Sequence, residues 1–186
     1  GVDALYSGSQ KCLSCPPGLA PLSFSPKAVS ALSRRKTKTV NWYLDLSLLA
    51  QYWGGAKRVY HHTPPINMVY ALYQALLLVE EEGLEHGWER HRQAYETLVS
   101  GLEELGLRLL VEPSWRLPML TAVWVPEGIE EAAVRARLRR DYKIEIGAGL
   151  GPLAGKIWRI GLMGHSARPE NAERLVEALR EILKKS

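Results

Sequence analysis

Polar and apolar positions divide the chain into two unlike parts. Before about residue 65 the apolar runs are short and broken by Ser, Gly and Pro, and the pattern predicts two small strands, 2–6 and 22–24, with a small-residue turn between them. Pro64-Pro65 opens an apolar helix over 66–79, hydrophobic nearly all round and so expected to be buried on most faces. After Gly83 the pattern changes. Leu84, Trp88, His91, Tyr95, Leu98, Leu102 and Leu105 recur at steps of four and three, one stripe of an amphipathic helix that ends at Gly106. Strands are predicted over 107–111 and 119–125, a helix over 129–141, and strands over 143–146 and 157–162. A last helix from Pro169 carries Ala172, Leu175, Val176, Leu179, Ile182 and Leu183 on one face.

The order β-β-α-β-β-α describes a small α+β domain with its helices on one side of a sheet, placed at 83–186. Residues 1–82 are too short and irregular to close a core, and read as part of a larger domain. Composition narrows the class. In 186 residues, 24 Lys and Arg face 20 Asp and Glu, a mild +4, and 46% of positions are hydrophobic. That suits a globular chain and excludes a disordered or fibrous one. No apolar run reaches the ~18 residues of a membrane span. No secretory signal opens the sequence, and two cysteines cannot staple a chain of this size. The expected compartment is the cytoplasm, with no membrane and no nucleic acid as partner.

Several residues invite chemistry. Lys11 follows the small-residue run Ser7-Gly8-Ser9-Gln10 at the end of an apolar strand, where a flat ligand could come close. Partial burial would turn its amine into a nucleophile for Schiff-base chemistry, whereas a surface lysine in a turn fits the spacing as well. Arg159 lies in Ile157-Trp-Arg-Ile-Gly-Leu162, on the strand face opposite Trp158, Ile160 and Leu162. An arginine in an apolar strand needs an anion, either an internal carboxylate or a ligand's, and its planar fork matches either in two bonds. Cys12-Leu-Ser-Cys15 lacks a second pair, and the five histidines have no metal-ligand spacing, so no metal is expected. Gly147-Ala-Gly-Leu-Gly-Pro152 has the wrong spacing for a dinucleotide loop and leads into a strand, so it reads as a tight loop. The basic runs at 34–38 and 135–140 lack interleaved aromatics and read as solvated faces, although the first could border an anion site.

Taken together, Tyr6-Ser-Gly-Ser-Gln-Lys11, Cys15-Pro-Pro-Gly18, Asn41-Trp-Tyr-Leu-Asp45, Tyr60-His-His-Thr63 and Arg159-Ile-Gly-Leu-Met-Gly164 resemble the alanine–glyoxylate (serine–pyruvate) aminotransferases. These are class V enzymes of the α/β fold type I that use pyridoxal phosphate, and the motifs run in family order along the whole chain. The resemblance implies that 1–82 is the end of the cofactor-binding large domain and 83–186 the small C-terminal domain. It implies that Lys11 carries the cofactor and moves the substrate's Cα proton, and that Gln10 lies against the cofactor. Tyr60 and Thr63 would reach the cofactor phosphate of the other subunit in a homodimer, and Arg159 would clamp the substrate α-carboxylate. The implied reaction moves an amino group from alanine or serine to glyoxylate or pyruvate. Gln10 stands where cysteine desulfurases carry His, which sets a lyase acting on cysteine behind a transaminase. The family's Gly-rich phosphate loop, ring-stacking aromatic and ring-nitrogen Asp precede its lysine box and are not among these residues. That departure implies a C-terminal piece of a longer enzyme, and leaves a non-catalytic fragment or dimerisation piece as the alternative.

Overall fold

The computed structural model describes residues 1–52 and 57–184. The chain divides into two compact units, Gly1–Leu77 and Leu78–Ser186.

In the first unit, β1 (Ala4–Tyr6) pairs antiparallel with β2 (Leu22–Phe24), Leu5 opposite Ser23. Two short helices follow that the periodicity does not announce, α1 (Pro26–Ser33) and α2 (Leu46–Leu49). Their caps were readable nonetheless. Ser25 accepts the Ala28 N–H at 3.2 Å with Pro26 next in line, and Asp45 accepts the Ser47 N–H at 2.9 Å. Ser25 also donates to Asp3 at 2.8 Å, and Lys27 pairs with the same carboxylate at 3.0 Å, stitching α1 to the start of β1. The long helix α3 (Ile66–Glu82) forms as expected, but not the burial. Of its residues only Ala75 is buried, and Tyr70, Tyr73, Leu76 and Leu77 are exposed. The reason is supply. A two-stranded ribbon and two short helices offer too little apolar surface to cover it, and Ser9, Cys15 and Ala75 are the only buried residues described in this unit.

The second unit owns a closed core. Helix α4 (Leu84–Glu104) ends in a Schellman motif: Gly106, at φ 71°, donates to Glu103 O at 2.9 Å, and Leu107 donates to Leu102 O at 3.0 Å. The sheet is antiparallel in the order β3-β5-β4, from β3 (Leu120–Trp124), β4 (Gly147–Ala148) and β5 (Ile157–Gly161). Its inner face (Val123, Trp158 and Ile160) packs on Leu98 and Leu102 of α4 and on Leu175, Leu179 and Ile182 of α6 (Pro169–Leu183). Of the stripe on α4 only Leu98 and Leu102 are buried; Leu84 and Trp88 are exposed.

Two expected strands are reduced. Segment 107–111 makes a single bridge, Leu109 to Val123, because the Schellman turn takes its first residue and Pro113 turns the chain away after it. Segment 143–146 is not a strand. Helix α5 (Glu131–Arg137) runs on into a π-helical turn, Leu138–Tyr142, closed by Lys143 at φ 58°, so pairing begins only at Gly147. Arg139 and Arg140 are exposed, as a solvated face should be, while Arg135 and Arg137 are half-buried; Arg135 pairs with Glu131 and Arg140 with Asp141. The Gly147–Pro152 loop is as tight as its composition suggests. A Cβ on Gly149 would lie 2.0 Å from the Leu153 carbonyl oxygen, which is backbone and cannot step aside. Gly149→Ala should therefore cost at least the upper end of the ~1–3 kcal/mol typical of overpacking. Thermal melting of the variant reads that loss, and an unchanged midpoint would contradict it.

Candidate active site

Lys11 sits on a turn tied by Ser9, one of the few buried polar residues. The Ser9 hydroxyl donates to Pro16 O at 2.9 Å and accepts the Leu19 N–H at 3.4 Å. Its backbone N–H reaches Leu19 O at 3.1 Å, and its carbonyl accepts the Cys15 N–H at 3.0 Å. The turn is closed on either side of the lysine by Lys11 N–H to Gly8 O at 3.2 Å and Ser14 N–H to Lys11 O at 3.0 Å. A Cβ on Gly8 would lie 2.8 Å from Gln10 Oε1, so only glycine lets that amide lie back over the turn. Lys11 itself is exposed, not partly buried, and its amine has no hydrogen-bond or ion-pair partner among the described residues. Cys12 is exposed and Cys15 buried, both as free thiols.

Tyr60 and Thr63 come together. Their hydroxyls are 2.6 Å apart on an exposed segment. The Tyr60 ring leans on Tyr52, with centroids 6.1 Å apart, and the Arg58 guanidinium lies 4.4 Å over the Tyr52 ring. Two hydroxyls held side by side are a donor set suited to a phosphate.

Arg159 occupies the centre of the second unit's sheet. In register it faces Ala122 on β3 and Gly147 on β4, two residues too small to cover it. A Cβ on Gly147 would come within 3.4 Å of Arg159 Nη2. The side chain is half-buried, with Nε donating to Ala148 O at 2.6 Å and no carboxylate paired with it among the described residues. One edge of the guanidinium is thus anchored to backbone, and the terminal nitrogens are left to take an anion in two bonds. The spacing did show which face Arg159 occupies. It does not show that Gly147 and Ala148, in the tight loop, are what make room for it and aim it.

Helix α4 holds the loop that follows β5. Arg90 meets Glu82 in two bonds, 2.5 and 2.8 Å, and donates to Gly164 O at 2.7 Å and Ala167 O at 2.8 Å. His91 accepts the Gly164 N–H at Nε2, 2.9 Å, while its Nδ1 bonds Gly87 O. His91 is therefore a polar latch and not a simple packing residue. Its place on the stripe hid this, although a histidine beside an arginine on that face was a signal. The Arg90 hydrogen bonds hold the Glu82 carboxyl below the ordinary glutamate value of 4.5. A lowered folded value means the pair's contribution is full above that pH and is lost as pH falls through the folded value. Acid should accordingly erode the melting temperature of the native protein below about pH 4.5 more steeply than that of Glu82→Gln; parallel pH profiles would contradict the pairing.

The family model for aminotransferase class-V matches residues 1–163. The chain belongs to the class V aminotransferases. As a member of that family it is 48% identical to alanine–glyoxylate aminotransferase of Oryctolagus cuniculus, over 98% of this chain and 47% of that one. It is 39% identical to (S)-ureidoglycine–glyoxylate transaminase of Bacillus subtilis, over 98% and 48%. The crystal structure of alanine–glyoxylate aminotransferase from Nostoc sp. superposes with a TM-score of 0.93 at 51% identity, covering 98% of this chain and 48% of that one. The chain thus spans about half the length of the relatives it matches, and its fold is the corresponding part of the α/β fold type I aminotransferases. Among the described residues no helix is long and apolar enough to cross a membrane.

Proposed function

We propose that this class V aminotransferase uses pyridoxal phosphate to move an amino group from a small amino acid, alanine or serine, to glyoxylate or pyruvate. The observation that carries the reading is Arg159. It is a half-buried guanidinium anchored through Nε, flanked by Gly147 and Ala122, with its terminal nitrogens open to a carboxylate. The other residues fit the cofactor. A free amine on a rigid turn suits a carbonyl, and the Tyr60–Thr63 hydroxyls suit a phosphate.

Each side chain then has a task. Lys11 Nζ would hold the cofactor covalently. As a neutral amine it would remove the substrate's Cα proton and hold it for return to the cofactor. Bound pyridoxal phosphate supplies the electron sink that makes the Cα–H bond acidic. Arg159 would fix the substrate α-carboxylate through its terminal nitrogens, which sets the orientation of the bound amino acid. Gln10 would lie against the cofactor, and the Tyr60 and Thr63 hydroxyls would hold its phosphate across the interface of a homodimer. On this reading 1–82 ends the cofactor-binding domain and 83–186 is the small domain.

Given L-alanine and glyoxylate, the holoenzyme should form glycine and pyruvate in equal amounts, with the parallel double-reciprocal lines of a ping-pong reaction. No glycine above the protein-free control would contradict the proposal, as would release of sulfur from cysteine in its place.

A further inference from the structure

The residues between Tyr60 and Thr63 are gripped by rings from a distant stretch of sequence. The Trp42 indole stacks on His61, with centroids 4.0 Å apart and planes at 21°. The Tyr43 ring leans on His62 at 4.4 Å, and the two imidazoles close on each other, Nδ1 to Nδ1, at 2.6 Å. One ring must donate in that contact and the other accept, so each fixes the other's tautomer. His61 Nε2 is buried without a hydrogen-bond partner, a cost that a freely chosen side-chain placement would avoid. The backbone that carries the rings of 42 and 43 is tied into a turn. Leu44 N–H bonds Asn41 Oδ1 at 3.1 Å, Asp45 N–H bonds Trp42 O at 3.2 Å, and Asp45 caps α2. Asn41–Asp45 and Tyr60–Thr63 therefore form one aromatic clasp that leaves the two hydroxyls exposed and 2.6 Å apart.

A phosphate gains most from two hydroxyls already held side by side. In a loose tetrapeptide their alignment would have to be imposed on binding, at the expense of affinity. Within the pair one hydroxyl donates to the other, which polarises the proton left for the anion. We propose that Trp42 and Tyr43, acting through His61 and His62, are positioning residues that set the Tyr60–Thr63 pair for the cofactor phosphate. The proposal rests on the reading of that pair given above.

The test is a cofactor titration of the purified protein, with the 31P resonance of the bound phosphate as a second readout. Trp42→Ala should weaken pyridoxal phosphate binding about two- to tenfold, the range an aromatic pair converts to, and shift the 31P line. The KM for the amino acid and kcat at saturating cofactor should stay within about twofold, because the rings act through His61 and His62 on the phosphate pair. Trp42→Phe should restore both readouts. Trp42 is 56% exposed, so its removal opens no buried cavity; Tyr43→Leu, at 51%, should move the same readouts by way of His62. Tyr60→Phe with Thr63→Val is the control. If that double variant binds the cofactor as tightly as the native protein, the reading of the pair falls and the proposal with it. If it loosens the cofactor while Trp42→Ala changes neither affinity nor the 31P line, the proposal alone is overturned. It is overturned equally if the affinity lost in Trp42→Ala is matched by a fall in the melting temperature of the cofactor-free protein and is not rescued by phenylalanine.

Discussion

Lys11→Ala should abolish transamination while leaving the fold intact. The turn is tied by Ser9, Gly8 and Cys15 through backbone groups and one serine hydroxyl, and the lysine side chain contributes no bond to it. Replacing an exposed side chain of that kind usually changes stability by no more than about 0.5 kcal/mol. The chemistry loses far more. On the proposed mechanism the same nitrogen anchors the cofactor and carries the proton, and a positioned base alone is worth about 10²- to 10⁴-fold. Steady-state assays at saturating cofactor should show kcat reduced by at least about a thousandfold with an unchanged melting temperature. Lys11→Arg should be equally inactive, since a guanidinium cannot give up its proton at working pH. Substantial turnover in either variant would contradict the role.

Arg159→Lys should act mainly on binding. The arginine divides its donors: Nε is committed to the Ala148 carbonyl at 2.6 Å, and the terminal nitrogens stay open. A lysine has one nitrogen for both tasks and no planar fork. Hydrogen bonds to charged groups are worth about 1.5–3 kcal/mol, so the KM for the amino acid should rise about ten- to a hundredfold, with kcat less affected. The space left by Gly147 and Ala122 admits the lysine, so the variant should fold. An unchanged KM would show that no carboxylate docks there.

The second unit was largely legible because its apolar periodicity and its burial agree. The face of β5 that carries Trp158 and Ile160, and the Leu175–Ile182 stripe of α6, are the core that the pattern predicts. In the first unit the two predicted strands and α3 form, but two further helices appear and the predicted burial does not. Helix α3 forms where its apolar residues recur, yet they stay exposed, because a helix's periodicity reports a need for cover and not its supply. The site was legible one residue at a time. Lys11 and Arg159 could be singled out from their neighbours. The carbonyl that aims Arg159, the serine that ties the lysine's turn and the rings that grip His61 and His62 all depend on contacts across seven or more positions. Local spacing cannot encode such contacts. Caps at Ser25 and Asp45 are the opposite case, short-range signals that start helices too brief to show an apolar period.

Borohydride treatment of the cofactor-loaded protein, followed by peptide mass mapping, puts the central assignment to its most direct test. The account predicts a single phosphopyridoxyl group, fixed on Lys11 Nζ, with loss of the visible absorbance band. A label on any other lysine, or loss of the band with the Lys11 peptide unmodified, would contradict it.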